Sequence, residues 1–142
     1  MFDTSHLHQL IVHFPIALLI VGFVADTAYL FYKKEACLPK IGFYLMLAGT
    51  LGAIAAVLSG NFFTEDLTGS VEVVRERHET FANITMYLMI VTSIIRVVLV
   101  KKGKVESKAG LGVYLLYLIG VILVAYTGML GGTMVFNYMI GI

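Results

Sequence analysis

Four long apolar stretches divide the chain, at about Leu10–Tyr32, Ile41–Ser59, Phe81–Val100 and Leu111–Phe136. Each is near or above the ~20 helical residues needed to cross roughly 30 Å of hydrocarbon. Polar and apolar residues do not alternate within them, as they would in the strands of a membrane barrel. Backbone surrounded by lipid must satisfy its own hydrogen bonds, so the pattern predicts helices. Joined by short polar connections, these predict an all-α membrane protein, a four-transmembrane-helix bundle built as a single domain over residues 1–142.

Polar positions refine that outline. "SVEVVRERHETF" begins with Ser70, a plausible N-cap, and its acids lie where a helix dipole favours them. The third helix is therefore expected to start near Ser70 and to project from the membrane. From His78, helical spacing gives Ala82, Thr85, Met89, Thr92 and Arg96, a small and polar stripe expected to face protein. Asp26 lies seven residues before Lys33 and Arg96 five before Lys101, so the two share a depth. Ionisable groups inside a span are usually paired, which favours a structural salt bridge or a snorkelling Arg96. Pro15 predicts either a helix start beside it or a kink that frees the carbonyl of Ile11.

Composition agrees with the pattern. The chain is 59% hydrophobic and 13% charged, with a mean hydropathy of +0.91. A soluble domain usually has about a quarter charged residues. The formal charge of +1 gives no case for nucleic acid, and the single Cys37 excludes an internal disulfide or a cysteine-cluster metal site. No cleaved signal peptide is expected. No nucleophile lies near a histidine, and there is no phosphate loop or pair of carboxylates to suggest a hydrolase.

The charges segregate by end. All seven lysines lie in "KKEACLPK" and "KKGKVESK", whereas Asp3, Glu65, Asp66, Glu72, Glu76 and Glu79 lie at the other end. Positive loops stay in the cytoplasm. The expected location is the bacterial inner membrane, with both termini and all four histidines on the periplasmic side. Cys37 then falls on the reducing side, which suits a free thiol.

Those histidines, His6, His8, His13 and His78, carry the candidate chemistry. Counted from the lysine borders, His13 lies 20 residues deep, His78 23 and His8 25. The mismatch between His13 and His78 is roughly 4–5 Å, which helix tilt absorbs. The expectation is a b-type haem held between His13 and His78 near the outer face. Arg75 and Arg77 are candidate partners for its propionates. Small residues in span two (Gly49, Gly52, Ala53, Ala56 and Gly60) and span four (Gly120, Gly128 and Gly132) serve close helix packing or leave room for a macrocycle. Gly128 and Gly132 are the candidate cofactor neighbours.

The alternatives are a copper or zinc site using His13, His78 and His8, with His6 beside them, and a cofactor-free structural or transport subunit. Met86, Met89, Met129, Met134 and Met139 are available to cuprous ion, although methionine in such helices is usually packing. A single haem would exchange electrons with a periplasmic carrier, quinol or a partner redox subunit, or bind a small gas ligand. The glycine faces are compatible with a homodimer.

"VHFPIALL" near the start, with Asp26, "RHETFAN" entering span three and "GMLGGTMVFNYMIG" at the end, resembles a bacterial four-helix membrane domain family of unknown function. The resemblance covers nearly the whole chain. It implies a four-helix fold, directs attention to His13 and His78, and supplies no activity.

Overall fold

The computed structural model describes residues 4–63 and 69–138. They form α1 (Thr4–Phe31), α2 (Leu38–Phe63), α3 (Ser70–Lys101) and α4 (Lys108–Tyr138). All four are long and apolar enough to cross a membrane, and no strand occurs among the described residues. Of the positions used above, Asp3, Glu65, Asp66 and Met139 lie outside the described residues, as does the His6 side chain.

The helix ends have local causes. α1 runs from Thr4 through Pro15 without interruption. The helix therefore does not start beside Pro15, and proline at that point removes the donor that the Ile11 carbonyl would otherwise accept from. The Pro15 ring is buried against α2, where a Cβ on Gly52 would lie 3.2 Å from its Cδ. α3 starts at Ser70, but Ser70 is not its cap. Gly69, at φ 86, is the cap residue and makes no side-chain cap bond. At its other end the Gly103 N–H reaches Val100 O at 3.1 Å and the Lys104 N–H reaches Leu99 O at 2.9 Å. That is a Schellman closure, and Gly103, at φ 63, takes the left-handed position it demands.

α1 packs on α2 and α4, and α3 packs on the same two, so the helices close a four-membered ring. α1 and α3 run in the same direction across one diagonal. At the centre each helix contributes one fully buried hydrophobic side chain, Leu19, Met46, Met89 and Tyr117, and α3 adds the fully buried Thr92. Lipid is as apolar as leucine, so packing and interhelical hydrogen bonds must hold such a bundle together. The Tyr117 hydroxyl donates to the Leu19 carbonyl at 2.9 Å, and a Cβ on Gly22 would lie 2.6 Å from that hydroxyl. Thr50 and Ser93 join α2 to α3 at 2.9 Å. The α3 stripe expected to face protein does so, with Thr85, Met89, Thr92 and Arg96 all buried.

Candidate functional site at the histidine end

The inward faces of α1 and α3 keep a constant register. Leu19 and Met89, Gly22 and Thr92, and Asp26 and Arg96 are each 70 residues apart in sequence and all are buried, and the last pair is in direct contact. Extending that offset towards the other end pairs His8 with His78. Eighteen residues separate His8 from Asp26, and eighteen separate His78 from Arg96. Eighteen residues make five full turns, so each helix presents its histidine and its charged residue on one face, about 27 Å apart.

At the lower level of this diagonal, Arg96 grips Asp26 with both terminal nitrogens. Nη2 donates to Oδ1 at 2.6 Å, and Nη1 donates to Oδ2. Nη1 also reaches the Met46 sulfur at 3.8 Å, and Nη2 the Pro39 carbonyl at 3.5 Å. Both charged residues are over nine-tenths buried, at 8% and 6% exposed. Gly42 faces the carboxylate, and any Cβ there would overlap it. Of the two expectations for these residues, the salt bridge forms and snorkelling does not.

At the upper level the hydrogen bonds fix the state of two imidazoles. His8 Nδ1 lies 2.8 Å from Ser59 Oγ. The Ser59 hydroxyl hydrogen is already donated to the Ala56 carbonyl at 2.9 Å, so its oxygen accepts from His8 Nδ1–H. His78 Nδ1–H donates to the Thr127 carbonyl at 3.0 Å, an oxygen that can only accept. Both rings therefore carry their proton on Nδ1, which leaves a lone pair on each Nε2. Burial first, and the neighbouring His78 second, hold the His8 imidazole below its ordinary pKa. Glycines let the rings in from the other diagonal. A Cβ on Gly60 of α2 would lie 3.2 Å from His8 Cε1, and one on Gly131 of α4 would lie 3.3 Å from His78 Cε1.

His13 has a different place. It is exposed, on a stripe with Phe14, Ala17, Val21 and Val24, and lines a shallow groove with Phe14, Ala17 and Leu18. Five residues after His8, it is turned about 140° from the inward face. The structure thus places His13 on an outer face, and the ring that lies beside His78 is that of His8. Depth alone could not separate the two candidates, because His78 falls between them. Direction around the helix does.

The other expected site residues also sort by direction. Arg75 bonds Glu72 at 3.0 and 2.7 Å and Glu79 at 2.5 Å, all on its own helix, and Arg77 is exposed. Gly128 receives Ile16, whose Cδ1 would be 3.0 Å from a Cβ there, and Gly132 faces open space. Gly131, between them, is the glycine that meets a histidine. Met86 and Met89 are buried, and Met129 is 60% exposed. No group of three His, Cys, Asp or Glu side chains able to hold a metal occurs among the described residues.

The chain belongs to the DUF2231 family of predicted membrane proteins. The family model matches residues 4–142, which takes in all four helices and both levels of the α1–α3 diagonal. Membership agrees with the resemblance of the "VHFPIALL" and "RHETFAN" segments and identifies a multi-pass membrane protein. No match was found among curated proteins or solved structures.

Proposed function

We propose that this DUF2231 chain is a membrane-embedded b-type haem protein with one bis-histidine haem, ligated by His8 and His78 and serving electron transfer. The observation that carries the reading is the matched state of the two rings, each with Nδ1 tied to protein and Nε2 bearing a lone pair. A ligating imidazole commonly donates its second nitrogen to a carbonyl or similar acceptor, which fixes its tautomer and orientation. The donor count favours haem over the copper or zinc alternative. Haem iron needs only two axial imidazoles, whereas closed zinc sites take four protein ligands and catalytic ones three.

The second diagonal supports the same reading. Gly60 of α2 and Gly131 of α4 admit the His8 and His78 rings, so residues of all four helices would shape the place that holds the group. The protein then sets potential and access, and the cofactor supplies the electron chemistry. With the lysine-rich end in the cytoplasm, the site lies near the periplasmic face of a bacterial inner membrane, with both chain ends on that side. A periplasmic electron carrier, quinol or a redox partner subunit is the natural exchange partner there, and a homodimer would bring two such sites together.

An optical spectrum with elemental analysis of one detergent-purified sample from haem-replete cells tests this. A Soret band is expected, abolished or strongly weakened by His8→Ala or His78→Ala and retained by His13→Ala. A colourless sample holding stoichiometric copper or zinc selects the metal alternative. A colourless and metal-free one leaves a structural or transport subunit.

A further inference from the structure

At the lysine-rich end a cleft of about 270 Å³ opens between α1 and α4, beside the α3–α4 connection. Its lining includes the buried Asp26–Arg96 pair, 27 Å or so along the bundle from the histidines. Leu30 and Leu111 also line it and are 50% and 60% exposed, so the cleft opens sideways on helix faces that lipid covers. Lys33 and Glu106 stand at its mouth, at 56% and 73% side-chain exposure. Around it are the chain's seven lysines, all exposed, against two exposed acids, Glu35 and Glu106.

We propose that this cleft is a binding site for the headgroup of an anionic phospholipid. Three features call for that chemistry together. The opening is lateral and apolar-walled, which suits a ligand arriving through the membrane with its chains along Leu30 and Leu111. The surroundings are strongly cationic at the level where lipid phosphates lie, and basic pockets between helices on the cytoplasmic side bind such headgroups. The polar wall supplies a donor as well as charge. Arg96 gives its terminal nitrogens to Asp26, Met46 and Pro39, and its Nε–H is engaged by no described protein acceptor. That donor suits the ester carbonyl of a glycerolipid.

Glu106 is the internal competitor for the phosphate. Its carboxylate lies 3.9 Å from Lys33 Nζ and accepts the Tyr29 hydroxyl at 3.2 Å, while Lys33 also sits 4.4 Å above the Tyr29 ring. A bound phosphodiester takes over Lys33 and Tyr29 and releases Glu106. Loss of the lysine should therefore weaken the site, and loss of the acid should strengthen it. Diffuse surface attraction would make Lys33 equivalent to any other lysine at this end.

The full chain, reconstituted in vesicles of mixed phosphatidylglycerol and phosphatidylcholine and released into mild detergent, is suited to native mass spectrometry. One phosphatidylglycerol is expected to remain bound in preference to phosphatidylcholine. Lys33→Gln should reduce its retention about fivefold, the equivalent of roughly 1 kcal/mol for one lysine near an anionic surface. Glu106→Gln should raise retention, and Lys40→Gln, outside the cleft, should leave it unchanged. Equal retention of the two lipids overturns the proposal, as does an equal loss in the Lys33 and Lys40 variants. Displacement by inorganic phosphate at matched concentration also overturns it, because the site would then recognise free phosphate and not lipid. Lys33, Glu106 and Lys40 are exposed surface groups, so folding does not confound the comparison.

Discussion

An imidazole serves as a ligand only when one nitrogen is held and the other keeps its lone pair. Ser59 does the holding for His8, through an oxygen whose own hydrogen belongs to Ala56. Ser59→Ala removes that acceptor and leaves a half-buried N–H unpaired, at a cost of about 1–3 kcal/mol. Thermal unfolding in detergent measures the cost, and no loss of stability would mean that the ring finds another acceptor. Proton uptake gives a second handle on the same residue. Burial and His78 depress the His8 pKa, and Ser59 and Gly60 of α2 face the same ring. On acidification the unfolded chain takes up this proton first, near the free-histidine value of about 6.5. The stability linked to His8 is complete above that value and is lost as pH falls through the lower, folded-state pKa. In ligand-free protein the unfolding midpoint should drop across that window, and His8→Gln should flatten the profile. A wild-type midpoint independent of pH there rejects the depressed state of His8.

Between α1 and α3, the Asp26–Arg96 pair sets the register that brings the histidines together. Removing one partner strands a buried charge, so Asp26→Asn or Arg96→Met should each cost about 3–5 kcal/mol. The double variant removes both charges and should lose much less than the sum of the two. Full additivity in detergent unfolding would show that the two residues do not act as a pair. The same element pair explains what could be read from the chain. Four helices were legible because lipid demands about twenty apolar residues in a row, a signal too long to arise by accident. The common depth of Asp26 and Arg96 was legible too, because lysines mark the border on both spans. Depth alone does not separate His13 from His8 as the partner of His78, and Pro15 leaves the start of α1 ambiguous in the sequence. The missing signal was the repeated eighteen-residue spacing, which returns each helix to the same face and points from Asp26 to His8. Four-residue spacing points to Gly128 and Gly132 because it follows a packing ridge, and the glycine that admits His78, Gly131, lies off that ridge.

The whole molecule is polarised along its axis, with the histidines at one end and every lysine at the other. An orientation follows from that asymmetry. Moving lysine-rich loops across an energised membrane is unfavourable, so the α1–α2 and α3–α4 connections are predicted to face the cytoplasm. Cys37 reports on this directly, because it is the single cysteine, is exposed, and lies in the α1–α2 connection between Lys34 and Lys40. A membrane-impermeant maleimide should leave the protein unlabelled in intact spheroplasts and label it in inverted vesicles. The Cys37→Ser variant should give no signal in either. Labelling of spheroplasts would reverse the molecule, moving the lipid cleft to the outer leaflet and the two imidazoles to the cytoplasmic side. A periplasmic electron carrier could then no longer reach them, whereas the tautomers and the α1–α3 register would be untouched, since both are set inside the bundle. The labelling experiment therefore tests the choice of redox partner independently of whether His8 and His78 bind haem.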